Sequence, residues 1–208
     1  MKPFLKAAAI LVCLIAIVGI AVVGYILRVG LSARDQPRSV DEFVARTIRR
    51  VVVARQARGL SNPIASSRAA LVEARAHYAD HCAVCHANDG SGDTEMGRGL
   101  FPKAPDMRLA STQNLSDGEL FWIIENGIRF TGMPAWSTGT NHGVEDSWKL
   151  VHFIRQLPAL SAEDVTEMEA MNPRSPEEIR QELEEKQFLE GGDVTPVVPE
   201  HKHGGQHD

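Results

Sequence analysis

The stretch "YADHCAVCHANDGSGD", residues 78–93, holds two of the chain's three cysteines. Cys82 and Cys85 stand two residues apart, and His86 follows directly. Four chemistries compete for this spacing. A zinc site needs four ligands, usually from two such pairs, and only one pair is present. A thioredoxin-like redox dithiol sits in a βαβ setting, and the chain has no alternating strand pattern of useful length. A disulfide between Cys82 and Cys85 leaves His86 without a task. C-x-x-C-H is the signature of covalent haem attachment, in which two thiols add across the vinyl groups and the histidine reaches the iron. That reading employs all three residues. His81, just before the motif, reads as a bystander on the helix surface.

The residues around the motif, from 66 to 158, read as one mostly helical domain. "SSRAALVEARAHYADHC" opens on serine and places Leu71, Ala74 and Tyr78 on one face. In "LSDGELFWIIENG", Ser116 and Glu119 form a capping box, Leu120, Phe121, Ile123 and Ile124 supply the apolar side, and Gly127 ends the helix. "EDSWKLVHFIRQLP" spaces Trp148, Val151, Ile154 and Leu157 helically before Pro158. Two Gly- and Pro-rich loops lie between, "NDGSGDTEMGRGLFPKAPD" and "RFTGMPAWSTGTNHG". A domain of this size has a thin core and needs a staple such as a cofactor.

A haem with one histidine ligand calls for a second ligand on the other side. "GIRFTGMPAW" offers Met133, 47 residues after His86, between Gly132 and Pro134. A thioether is soft, stabilises ferrous iron and raises the potential of a His/Met pair. His142, Met96 and Met107 are the competitors, with Met107 better suited to packing on the porphyrin edge.

On these motifs the segment resembles a class I, mitochondrial-type c-type cytochrome, single-haem and of the bacterial membrane-anchored kind. The resemblance rests on Cys82-Ala-Val-Cys85-His86, "FPKAPDM", "LSDGELFWIIENGIRFTGMPAW" and "DSWKLVHFIRQL". It implies an all-α chain: a small cytochrome c fold of three to five short helices around one covalent haem, preceded by one transmembrane helix. It implies that a proline carbonyl orients the axial histidine. Pro105 is the best match, with Pro102 as fallback and Met107 in the place of a haem-packing aliphatic residue. Tyr78 and Phe153 match the aromatic pair where the first and last helices cross, with Ala74 where the family has glycine. Trp136 resembles a tryptophan shielding a propionate edge, with core packing as the alternative. Arg129 faces either a propionate or solvent. The implied site is therefore Cys82, Cys85, His86, Met133, Pro105, Met107, Trp136 and Arg129, with His86 and Met133 on the iron.

The rest of the chain divides by charge. Residues 7–27 carry none and can cross a ~30 Å hydrocarbon core as a signal anchor after a cytoplasmic start at 1–6. The alternative is a cleaved signal peptide, and "GLSAR" near Ser32 leaves cleavage open. Lys2 and Lys6 favour an inside amino terminus, while Arg28, Arg34 and Arg38 oppose it. Cys13, mid-span, reads as a buried, inert thiol. The connector 28–65 begins with eight Lys/Arg against three Asp/Glu up to Arg58. Its segment 39–59 reads as a helix, lying on anionic headgroups or forming a solvated basic spacer. Residues 159–190 form an acidic helical extension whose two helices open with the capping boxes Ser161/Asp164 and Ser175/Glu178. The tail 191–208 carries His201, His203 and His207, candidate ligands for a weakly held divalent metal or simply a solvated tail.

The expected function is one-electron transfer, not catalysis, in a respiratory or dehydrogenase chain of the bacterial inner membrane, single-pass with the haem domain in the periplasm. Its partners are redox proteins or a membrane respiratory complex. Nucleic acid is not among them, because the basic block lies beside the apolar segment. Residues 66–158 hold eight Lys/Arg against eleven Asp/Glu, so a basic docking face is not expected. The alternative is a metal-handling haem protein that binds copper through its histidine tail. A gas sensor, the third class, needs an open iron position.

Overall fold

The computed structural model describes residues 2–30, 32, 35 and 37–190. The tail with His201, His203 and His207, and Arg34 in the connector, lie outside the described residues. Among the described residues every regular element is helical and no strand occurs, as the sequence pattern predicts.

The first helix, α1 (Lys2–Val29), contains the uncharged segment and is long and apolar enough to cross a membrane. Its apolar side chains are not covered by the rest of the chain, and Cys13 sits on this bare surface rather than in a protein core. The connector helix α2 (Ser39–Gln56) follows, ending before Gly59. It packs on α7 (Asp117–Asn126), burying Val53 and Ala57.

The compact part begins at α3 (Arg68–His77), where the Ser67 hydroxyl accepts from the Ala70 amide at 3.2 Å. The helix does not stop there. It widens into one π turn, Tyr78–Cys82, and resumes as α4 (Ala83–His86). Short helices α5 (Glu95–Gly99) and α6 (Ala110–Gln113) follow. The first Gly-rich loop is therefore not wholly a loop. Thr94 caps α5 by accepting from the Gly97 amide at 2.8 Å, a cap hidden in sequence by the glycines around it. Helix α7 has the expected capping box and ends at Gly127.

The last helix of this part, α8 (Asn141–Gln156), starts four residues before the expected "EDSW" because Thr140 caps it. It passes into a 3-10 turn, Leu157–Ala159, that contains Pro158. Helices α3 and α8 form the main crossing. Tyr78 and Phe153 meet there, ring centroids 5.0 Å apart, both essentially buried, with Ala74 beside them. Lys149 on α8 is nearly covered yet paired with Glu73 at 2.7 Å and Glu145 at 3.3 Å, and those carboxylates hold its pKa well above the ordinary lysine value.

Beyond residue 158, α9 (Ala162–Glu169) lies on α3. Arg75 bonds Asp164 at 3.2 Å and Glu167 at 2.8 Å, and Met168 is completely buried in the same core as Tyr78. Helix α10 (Pro176–Leu189) opens with the Ser175/Glu178 box and leaves Ile179, Leu183, Phe188 and Leu189 exposed.

Candidate functional site

The C-x-x-C-H stretch occupies the π turn and the single turn of α4. A π turn inserts an extra residue per turn, and such single turns recur at functional sites. Here it delivers Cys82, Cys85 and His86 where the continuation of α3 ends. The end is fixed from both sides. The Tyr78 hydroxyl donates to the Ala87 carbonyl at 3.1 Å, and the Gly92 amide donates to the His86 carbonyl at 2.8 Å.

Cys82 and Cys85 are free thiols, and the disulfide reading finds no support. Burial, then the neighbouring Cys85, pushes the Cys82 thiol up to about 12, and burial also raises Cys85. A redox dithiol lowers a thiol pKa, so the environment runs the opposite way. Among the described residues no cluster of three or more His, Cys, Asp or Glu side chains is disposed to hold a metal ion.

His86 is half-buried. Burial lowers its pKa, while the backbone carbonyl of Pro105 opposes that by favouring a protonated ring. Its Nδ1 is buried and makes no hydrogen bond of ordinary geometry, so the carbonyl faces the ring without fully satisfying it.

The segment that brings Pro105 here is clamped at both ends. The Ala104 amide donates to Gly97 at 2.9 Å and the Met107 amide to Gly90 at 2.8 Å. Arg108 grips the Asp106 carboxylate with Nε and Nη2 at 2.9 and 2.8 Å and reaches Asp89 with Nη1 at 2.7 Å. Helix α5 presses against the motif itself. Thr94 donates to the Val84 carbonyl at 2.8 Å, and a Cβ at Gly97 would lie 2.2 Å from the Cys85 carbonyl oxygen. Pro102 lies on the surface, and Met107 is buried in the core with Tyr78 and Ile154.

Met133 is half-buried in the second loop. A tight turn presents it: Ile128 donates to the Met133 carbonyl at 3.1 Å, and the Met133 amide donates to the Thr131 hydroxyl at 3.1 Å. The turn hangs from the end of α7, where Gly127 takes φ +64° and a Cβ would lie 2.7 Å from the Met133 carbonyl oxygen. At Gly132 the backbone lies against the Leu100 side chain, so the two loops touch. Among the competitors, Met96 is exposed and the His142 side chain is 82 % exposed and paired with Asp146 at 3.4 Å. Arg129 is exposed.

Trp136 is half-buried, with its amide bonded to the Ile124 carbonyl at 3.0 Å. His81 meets it edge-on at 5.6 Å and also contacts His77 at 4.8 Å. His81 is therefore no bystander: it joins the motif's helix to the Met133 loop. The sequence signal was the i, i+4 spacing of His77 and His81 on one helix face.

Residues 69–154, less than half of the chain, match the family model described as cytochrome c oxidase, cbb3-type, subunit III. The matched stretch supports a c-type cytochrome family. It implies haem binding and haem-based electron transfer rather than catalysis. Comparison with curated proteins gives no match. The residues present fit such a group. A half-buried imidazole, whose buried Nδ1 is unsatisfied with a carbonyl facing it, lies beside two free thiols, and a thioether stands in the touching loop.

Proposed function

We propose that this chain is a membrane-anchored one-electron carrier with a single c-type haem, held by thioether bonds to Cys82 and Cys85 and ligated by His86 and Met133. The observation that carries this reading is the His86 ring at the end of α4, its buried Nδ1 unsatisfied and the Pro105 carbonyl facing it. The bound group supplies a one-electron Fe(III)/Fe(II) couple.

The chain's own residues do the rest. Pro105 orients His86 and increases its basicity. The α5 contacts at Thr94 and Gly97 hold the attachment turn still. Met107 and Trp136 exclude water from the two sides, and Arg129 stands ready for a propionate. Met133 would supply the second iron ligand, which would leave no open position for a substrate or gas.

Residues 7–27 serve as the anchor, 66–158 with α9 packed on them as the haem domain, and α10 as an acidic extension. The domain sits on the periplasmic face of a bacterial inner membrane, where tethering raises its effective concentration near respiratory partners. The family description, which names an oxidase subunit, favours service within a membrane respiratory complex. The test is a redox titration of the purified full-length protein combined with carbon monoxide exposure. A one-electron wave with no carbon monoxide uptake by the reduced protein supports the carrier; rapid uptake overturns it in favour of a gas-binding protein.

A further inference from the structure

Helix α2 is turned the unexpected way round. At 3.6 residues per turn, Val40, Val44, Ile48 and Val51 form one stripe, with Val52 beside it. On the opposite side Arg46, Arg50, Val53 and Ala57 form another. An amphipathic helix packed on a protein in water lays its apolar stripe inward. Here the inward side is the second one. Val53 and Ala57 are buried against α7, and Arg46, Arg49 and Arg50 line the cleft that α2 makes with α6 and α7, opposite Asn114 and Glu119. The valine–isoleucine stripe faces away from the domain, with Val40 70 % and Ile48 58 % exposed and Phe43 at its edge. A contiguous apolar face of this kind marks a protein or membrane contact.

Two observations say what covers it. The amino end of α2 is tied to the end of α1: the Tyr25 hydroxyl donates to the Asp41 carboxylate at 2.8 and 2.9 Å, and Arg38 lies 5.4 Å from the Tyr25 ring centre. The bare apolar surface of α1 is thus continued by the bare stripe of α2. Basic residues stand at that junction: Arg28 is in the last turn of α1, and Arg38 is at the amino end of α2. Interfacial helices carry this arrangement, apolar residues at the acyl boundary and arginines among phosphates.

We propose that α2 lies in the headgroup layer of a phospholipid bilayer, with Val40, Val44, Ile48 and Val51 in the acyl boundary, and seats the α7 side of the domain against the membrane surface. The proposal rests on α1 being a membrane span.

The test uses the full-length holoprotein, Cys13→Ser, in nanodiscs of phosphatidylethanolamine and phosphatidylglycerol. Nitroxides are placed singly at Val44→Cys and Ile48→Cys, with Ile15→Cys as a span control and Glu163→Cys as a water control. At Val44 and Ile48, oxygen is expected to relax the label several-fold more than a water-soluble nickel chelate does, as at Ile15; Glu163 should show the reverse. An Ile15 label in lipid with Val44 and Ile48 labels in water overturns the proposal and leaves the anchor standing. A water-exposed Ile15 label removes the anchor itself. Dipolar broadening between Val44 labels in discs holding two copies also overturns the proposal, by making a second chain the cover.

Discussion

The two loops that face each other across the candidate site are built differently. The loop after His86 is held by bonds that tie it back to the motif and to itself: Thr94 to Val84, Ala104 to Gly97, Met107 to Gly90, Arg108 to Asp89. The Met133 loop is held by bonds within 124–137. One side of the site is clamped to the domain, and the other is a self-contained turn hung from a helix end. The difference teaches a division of labour. On the proposed assignment, the histidine side would fix geometry, and the methionine side is where small changes would tune or release a ligand.

The largest expected effect lies on the clamped side. Cys82→Ala with Cys85→Ala abolishes covalent haem, so that haem staining of the denatured polypeptide disappears. A persisting band would show that the clamp serves something else.

Next come paired glycine substitutions. Gly97→Ala forces a Cβ against the Cys85 carbonyl and costs about 1–3 kcal/mol of stability in denaturant melts. Gly127→Ala strains a left-handed position beside Met133 and shows chiefly as a weakened methionine signature in the ferric spectrum. If both variants lose only stability, the two loops are not distinct in the way described.

The third effect is a pH dependence centred on His77. His77 sits below its ordinary 6.5 because of burial and then the charge of His81, with His142 adding to this and Asp146 and Asp80 opposing it. A depressed folded value means that the unfolded chain takes the proton first. Stability is full above 6.5 and declines as pH falls through that value and the folded one. His77→Gln should flatten this decline in thermal melts; an unchanged slope assigns it to other groups.

The smallest effect concerns Phe130, 92 % exposed at φ +63°. Phe130→Gly relieves left-handed strain at some cost in chain entropy, for a net gain of about 0.5 kcal/mol. Calorimetry showing a loss instead would mean that the ring packs on the bound group.

Much of this was readable from sequence for identifiable reasons. C-x-x-C-H is a fixed local spacing, so Cys82, Cys85 and His86 stand out at once as candidates. Capping boxes are local, so α7, α9 and α10 begin where Ser116, Ser161 and Ser175 say. The hidden features come from contacts between distant residues. The Arg108 fork spans residues 89 to 108, Met168 joins a core that Tyr78 begins, and His81 meets Trp136 only once α3 and the Met133 loop have folded. The helix over 39–59 was legible, but the side it turns to the domain was not, because periodicity defines a face and not its neighbour.

The most direct measurement is the far-red absorption spectrum of the purified, oxidised, membrane-bound protein and of Met133→Ala. A methionine–ferric haem charge-transfer band is expected in the native protein and absent from the variant. Its absence from the native protein, or its survival in Met133→Ala, would contradict the assignment of His86 and Met133 as the axial pair.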